Sequence, residues 1–201
     1  SQFLNFSDLK MLLNILFIIA LTSPVAVAST VLGMKGIMPG EDKNNGSCAA
    51  EWWRNLVFAL VLALAQGVMY ILGDLLGSTF MHLMESLSKW IVFALCFSIF
   101  YRMLMNTLKI RRGDNLYFVQ NQKQLILLSI ALGVNAFIAG MMTEFYEPFS
   151  NLTPCVIAGV AFLWSLISMT MPFSQIRLTY NSLLNVVSAF IILMKGLLNV
   201  I

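Results

Sequence analysis

The sequence predicts an all-α polytopic integral membrane protein, a six-helix transmembrane bundle. Hydrophobic residues make up 59% of the 201 residues and charged residues only 10%, against about 45–50% and about 25% in soluble domains. Mean hydropathy is +0.84. The apolar residues also gather into runs near the roughly 20 needed to cross a bilayer core. So few charges cannot cover a water-facing surface, which argues against a soluble enzyme and a disordered chain. A net charge of +3 forms no basic domain, so no nucleic-acid partner is expected. The lipid bilayer is the expected solvent for the whole chain, 1–201, read as one transmembrane domain.

Each span follows from an apolar run and what bounds it. The first covers about 12–32 and contains Pro24. Its Ala26-Val27-Ala28 before Ser29 has the small-residue pattern of a signal cleavage site. The chain retains that stretch, so an uncleaved span is expected. A turn-rich polar loop follows, with Pro39-Gly40 and Asn44-Asn45-Gly46. The second span, about 56–72, opens after Trp52-Trp53-Arg54, and the third, about 90–108, stops at Lys109, Arg111 and Arg112. The fourth, about 125–142, ends before Glu144; the fifth, about 156–171, ends at Pro172; the sixth covers about 183–201. Between the second and third, residues 74–89 read as an amphipathic helix at the membrane surface. Asp74, Ser78, His82, Glu85, Ser86 and Lys89 lie near one stripe there. A sharper reading of the same stripe is a titrating cluster of His82 and Glu85.

Basic residues mark the cytoplasmic side of a membrane protein. Lys35, Lys43, Arg54, Arg102, Lys109, Arg111, Arg112, Lys123 and Arg177 fall in or near the first, third and fifth loops. Only Lys10, Lys89 and Lys195 fall on the other side. This asymmetry predicts a basic third loop in the cytoplasm and both termini outside it. Cys48 and Cys155 then face opposite sides and cannot form a disulfide.

Polar and small residues inside the spans carry the functional reading. Ile19-Ala20-Leu21-Thr22-Ser23-Pro24 aligns with Ile130-Ala131-Leu132-Gly133-Val134-Asn135, at the same place in each three-span half. Many transporters are built from two such halves, with a site at mid-membrane where interrupted helices meet. Pro24 frees a backbone carbonyl, and Asn135 offers a donor and an acceptor. These residues, with Ser23, Gln66 and Glu144 as nearby polar groups, form the candidate central site. Chance similarity between two apolar runs is the competing explanation.

Small residues recur at helical spacing in two places: Ser129, Gly133, Ala136 and Gly140 in the fourth span, Gly73 and Gly77 in the second. Ala59, Ala63 and Gln66 continue the second stripe upstream. Such residues let helix backbones approach closely. Asn181, Asn185, Ser188 and Lys195 lie along one face of the last span. They line either a wetted path or contacts between helices, with Lys195 snorkelling to the interface in the second case.

No enzyme and no cofactor are expected. HExxH, CxxC, P-loop and GxGxxG patterns are all missing, and one histidine cannot build a multi-histidine metal site. No confident metal ligand stands out; a divalent cation enters only as a substrate.

Residues 59–108 resemble the family of manganese efflux pumps, six-span exporters of the cell (inner) membrane built from two three-span halves. Gln66, Met69, Gly73 and Gly77, then Trp90-Ile91-Val92-Phe93, then Met103 carry the resemblance. It implies a membrane transporter of a small solute or cation. In that family both repeat stretches end in Asp-Ala, and the aspartates are the expected cation sites. Here Pro24-Val25 and Asn135-Ala136 stand in those places, and Ser88-Lys89 replaces an aspartate-histidine pair. A hard divalent cation wants carboxylate oxygens, so the substitutions put the substrate in question. The competing class is a structural or assembly subunit, its polar stripes facing other membrane subunits or a second copy of the chain.

Overall fold

The computed structural model describes residues 6–34, 48–81, 88–112, 122–143, 152–170 and 175–200. The described residues form six helices: α1 (Phe6–Met34), α2 (Cys48–Met81), α3 (Ser88–Arg112), α4 (Gln122–Met141), α5 (Thr153–Thr170) and α6 (Gln175–Val200). No strand occurs among the described residues. Met11–Thr30, Trp52–Thr79, Lys89–Lys109 and Lys123–Met141 are long and apolar enough to cross a membrane, and Thr153–Met169 and Ser182–Leu198 are shorter apolar helices. The fold class read from composition is the one observed, an all-α membrane bundle.

Helix α2 shows how such a sequence folds. Val57, Leu60, Leu64, Val68, Ile71 and Leu75 recur every three or four residues and are exposed. Ala59, Ala63, Gln66, Tyr70, Gly73 and Gly77 form the opposite, buried stripe. Bulky apolar groups thus face outward, where lipid is the solvent, and small or polar groups face inward. The arrangement suits a bilayer, which supplies no hydrophobic drive between helices and leaves close van der Waals contact to hold them together.

That contact is made by glycines. A Cβ placed on Gly73 would collide with the backbone of Phe137, and one on Gly140 with the backbone of Tyr70. At Gly77 it would sit 2.7 Å from the carbonyl oxygen of Met141, and at Gly133 2.7 Å from Cγ of Met69. The two stripes of small residues, in α2 and α4, therefore pack against each other. Ser129 and Ala136 of the α4 stripe are buried too, and Ser129 Oγ donates to the carbonyl of Leu125 at 2.8 Å. On the far side of the bundle Gly196 of α6 repeats the device, where a Cβ would lie 2.6 Å from Cβ of Cys96 on α3.

Helix directions follow from these contacts. Gly133 neighbours Ala65 and Met69, Gly73 neighbours Phe137, and Gly77 neighbours Met141, so α2 and α4 are parallel. Cys96 meets Gly196 while Asn185 reaches Met103 and Thr107, so α3 and α6 are antiparallel. Ser23–Asn185 and Asn14–Lys195 make α1 and α6 antiparallel. Cys96–Met142 and Arg102–Ala131 do the same for α3 and α4. Besides α2–α4, the main pairings are α3–α6, α2–α5, α1–α5 and α1–α6. Exchanging the first three helices with the last three turns α2–α4 into α1–α5 and leaves α2–α5 and α3–α6 unchanged. The α1–α6 pairing maps onto the slimmer α3–α4 contact.

One sequence expectation changes here. Residues 74–81 do not begin a separate surface helix: they are the last turns of α2, held in register by Gly77 against Met141. Arg102 lies inside α3, is half-buried, and its guanidinium donates to the carbonyl of Ala131 on α4. Helix α1 runs unbroken through Pro24, and the Ala26–Ser29 stretch is buried in its middle.

Replacing Gly140 by Val is expected to cost about 3 kcal/mol, the upper end of ordinary overpacking, because backbone rather than a flexible side chain must move. Gly159 meets nothing within 4 Å, so Gly159→Ala should leave stability unchanged or raise it by up to about 1 kcal/mol. Thermal unfolding in detergent checks both; equal behaviour of the two variants would contradict the α2–α4 contact.

Candidate functional site

The buried interior divides into two apolar clusters stacked along the helix axes. One contains Phe17, Ala20 and Leu21 of α1, Tyr70 of α2, Val92, Cys96, Ile99 and Met103 of α3, Ala136 and Ala139 of α4 with Met142 just after it, Ile157 of α5, and Ala189 and Ile192 of α6. The other contains Val25 and Ala28 of α1, Leu62 of α2, Leu125 and Leu132 of α4, and Ala161 and Met169 of α5. Numbering runs from the first cluster to the second along α1 and α5, and the reverse along α2 and α4. Helix α5 therefore runs with α1, and all six helices alternate in direction.

The polar candidates sit where one cluster gives way to the other. On α1, Thr22, Ser23 and Pro24 lie between Leu21 and Val25. On α2, Gln66 is one turn from Leu62 and one turn from Tyr70. On α4, Asn135 lies between Leu132 and Ala136. Thr107 and Asn185 stand one turn beyond Met103 and Ala189. All are buried: Ser23 is 0% exposed, Gln66 1%, and Asn135 and Asn185 2% each. A band of neutral hydroxyl and carboxamide groups, about one helical turn deep, thus crosses the bundle at the boundary between the clusters.

Part of this layer is satisfied internally. Ser23 Oγ donates to Asn185 Oδ1 at 3.0 Å. Asn185 Nδ2 donates to Thr107 Oγ1 at 2.7 Å and toward the carbonyl of Met103 at 3.4 Å. Thr107 Oγ1 in turn donates to that same carbonyl at 2.9 Å. One carboxamide therefore ties α1, α6 and α3 together. Thr22 bonds back to the carbonyl of Ile18 at 3.0 Å, while Pro24 has no amide hydrogen to give the carbonyl of Ala20.

The other part is not satisfied. Gln66 Nε2, Gln66 Oε1 and Asn135 Oδ1 are buried with no hydrogen-bond partner among the described residues. An unmet buried polar group costs about 1–3 kcal/mol, and the bilayer core holds no water to relieve it. Such groups mark function in membrane proteins rather than stability.

The remaining candidates fall as follows. The α6 stripe faces inward, with Ser188 4% and Lys195 9% exposed. Lys195 Nζ donates to Asn14 Oδ1 at 2.8 Å and lies 4.4 Å from the centroid of the Phe17 ring. Asn181 is in α6, with its side chain outside the described residues. Glu144, His82 and Glu85 are also outside them. Among the described residues no group of three or more His, Cys, Asp or Glu side chains is gathered to hold a metal ion. Cys96 is buried, with its Sγ donating toward Met142 Sδ at 3.5 Å, and Cys155 is exposed; neither is in a disulfide.

Several contacts escape a reading by sequence. Thr107, the second acceptor of Asn185, is a single hydroxyl in an apolar run. Ser29 donates to Ser165 at 3.1 Å between α1 and α5, and Tyr70 shares a 2.9 Å hydrogen bond with Thr143. Isolated hydroxyls bond readily to their own helix, so periodicity alone does not single these out.

The fold and the site describe a polytopic helical bundle with a polar layer inside it. A family model described as "Putative manganese efflux pump" matches residues 49–198, and the chain belongs to that family. Proteins with the same description from Bacteroides fragilis and Bacteroides thetaiotaomicron are 32% and 29% identical to it over 123 residues. Each match covers 59% of this chain and 63% and 64% of those relatives. A Methanobrevibacter smithii relative is 30% identical over 114 residues, 55% of this chain and 60% of its own length. The matched stretch thus spans less than two thirds of these curated relatives. No solved structure matches the chain.

The Ser23–Asn185 bond can be measured by a double-mutant cycle of Ser23→Ala and Asn185→Ala. Such bonds in membrane proteins are worth about 0.6 kcal/mol on average and up to about 1.7. A coupling energy in that range is expected from thermal or denaturant unfolding, and a coupling near zero would count against the bond.

Proposed function

We propose that this protein is a multi-pass membrane transporter of its family, moving a small solute or cation through the layer between its two apolar cores. The observation that carries the proposal is the buried, unpartnered carboxamides of Gln66 and Asn135 at the boundary between the two cores, where α1 places Ser23 and Pro24. Stability alone disfavours such groups, and a transport site requires them. Ser23, Pro24, Gln66 and Asn135 are the central site in this reading. The names of the relatives support efflux and a transporter rather than an enzyme.

The six helices all cross the membrane in this proposal. Their strict alternation in direction supports six crossings, although α5 and α6 are shorter as apolar segments. The packing exchange between α1–α3 and α4–α6 supports two related halves. Nine basic residues in or near the first, third and fifth loops weigh against Lys10, Lys89 and Lys195 on the other side, which supports non-cytoplasmic termini. The family resemblance supports residence in the cell (inner) membrane. The assembly-subunit alternative drew on polar stripes turned toward other chains. The α6 stripe turns instead toward α1 and α3 of its own chain, which favours the transport reading.

Single cysteines introduced as Asn135→Cys and Leu64→Cys, in a background lacking the native cysteines, test whether water reaches the layer. An aqueous thiol reagent should label position 135 at least about tenfold faster than lipid-facing position 64, because only the ionised thiol reacts. Protection at 135 equal to that at 64 would contradict a transport path through this layer.

A further inference from the structure

We propose that the site between the two cores takes a small uncharged solute bearing both hydrogen-bond donors and acceptors, held by the carboxamides of Gln66 and Asn135. This rests on the transport reading above and narrows its substrate class. The unpartnered atoms are two carbonyl oxygens, Gln66 Oε1 and Asn135 Oδ1, and one amide nitrogen, Gln66 Nε2. The oxygens call for donors and the nitrogen for an acceptor. Interchanging the two ends of Gln66 leaves this set unchanged, since neither end has a partner.

A cation answers only half of it. It would satisfy the oxygens and leave the NH2 group of Gln66 facing positive charge. A hard divalent ion further requires about six oxygen ligands with carboxylates among them. Helices α3, α4, α5 and α6 contain no aspartate or glutamate, α1 has none after Asp8, and α2 has only Glu51 and Asp74. The other polar groups of the layer are engaged with one another, Ser23 through Asn185 to Thr107. Recognition therefore falls to Gln66 and Asn135. A carbonyl flanked by N–H groups, the pattern of urea and small amides, complements all three free atoms.

The full chain reconstituted into liposomes tests this with urea as the neutral probe and Mn2+ as the divalent one. Urea entry is read by light scattering and Mn2+ entry by quenching of a trapped fluorophore. Urea should enter faster than into protein-free liposomes, and Mn2+ should not. Gln66→Leu and Asn135→Leu should each lower the protein-dependent urea rate at least about tenfold, while the protein still elutes as a single species. Gln66→Met and Asn135→Ala serve if a leucine variant fails to fold. Mn2+ entry without urea entry would overturn this inference and leave the transport reading standing. Entry of neither probe would overturn both. Urea entry unchanged by substitution at both positions would overturn the assignment to Gln66 and Asn135 alone.

Discussion

The backbone contact between α2 and α4 is the constraint on which the rest of the bundle depends. In lipid, helices gain little by hiding apolar side chains from one another, so association rests on how closely they fit. Gly73, Gly77, Gly133 and Gly140 remove the side chains that would hold these two helices apart. The contact fixes their parallel direction and register. It also places Gln66, one turn from Leu62, and Asn135, next to Leu132, at the same boundary between two apolar clusters. The site is thus a consequence of the seam: carboxamides on two helices come within about one turn of each other in depth because glycines elsewhere on those helices lock the register.

The opposite side of the bundle is held by polar bonds. Asn185 takes a hydrogen bond from Ser23 and gives one to Thr107, so α6 is tied to both α1 and α3. Lys195 is bound to Asn14 and rests on the Phe17 ring further along the same pair. Two kinds of adhesion therefore surround the layer, a tight glycine seam on one side and exchangeable side-chain bonds on the other. A bundle that must open toward alternate faces would do so more readily at the second. Between them Gln66 and Asn135 are left with unmet hydrogen-bonding capacity, an energetic cost that packing does not remove.

Much of this was legible in the sequence because a bilayer leaves few choices. The apolar runs specify helices, and both stripes of small residues predict close packing, which α2 and α4 then make with each other. Ser23, Gln66, Asn135, Asn185 and Ser188 were all singled out as polar residues in apolar surroundings, and all are buried. Which of them meet could not be read, because Ser23–Asn185 joins residues 162 positions apart and Thr107 carries no pattern of its own. The partner of Arg102 was not legible either, because a long side chain inside a span can reach a neighbouring helix's carbonyl, here that of Ala131. Residues 74–81 were misread because Asp74 and Ser78 give a surface-like stripe, while Gly73 and Gly77 on another face keep the helix on its partner.

The central claim is that this glycine seam sets the register of α2 against α4 and so builds the site. Disulfide formation measures it directly. A Cβ on Gly133 would lie 3.2 Å from Cβ of Met69, near the roughly 3.5–4.5 Å of a disulfide. With the native cysteines removed, the pair Met69→Cys and Gly133→Cys should cross-link rapidly under mild oxidation in the membrane. The pair Met69→Cys and Met141→Cys, about two turns out of register, should not. Cross-linking of the second pair in preference to the first would contradict the account.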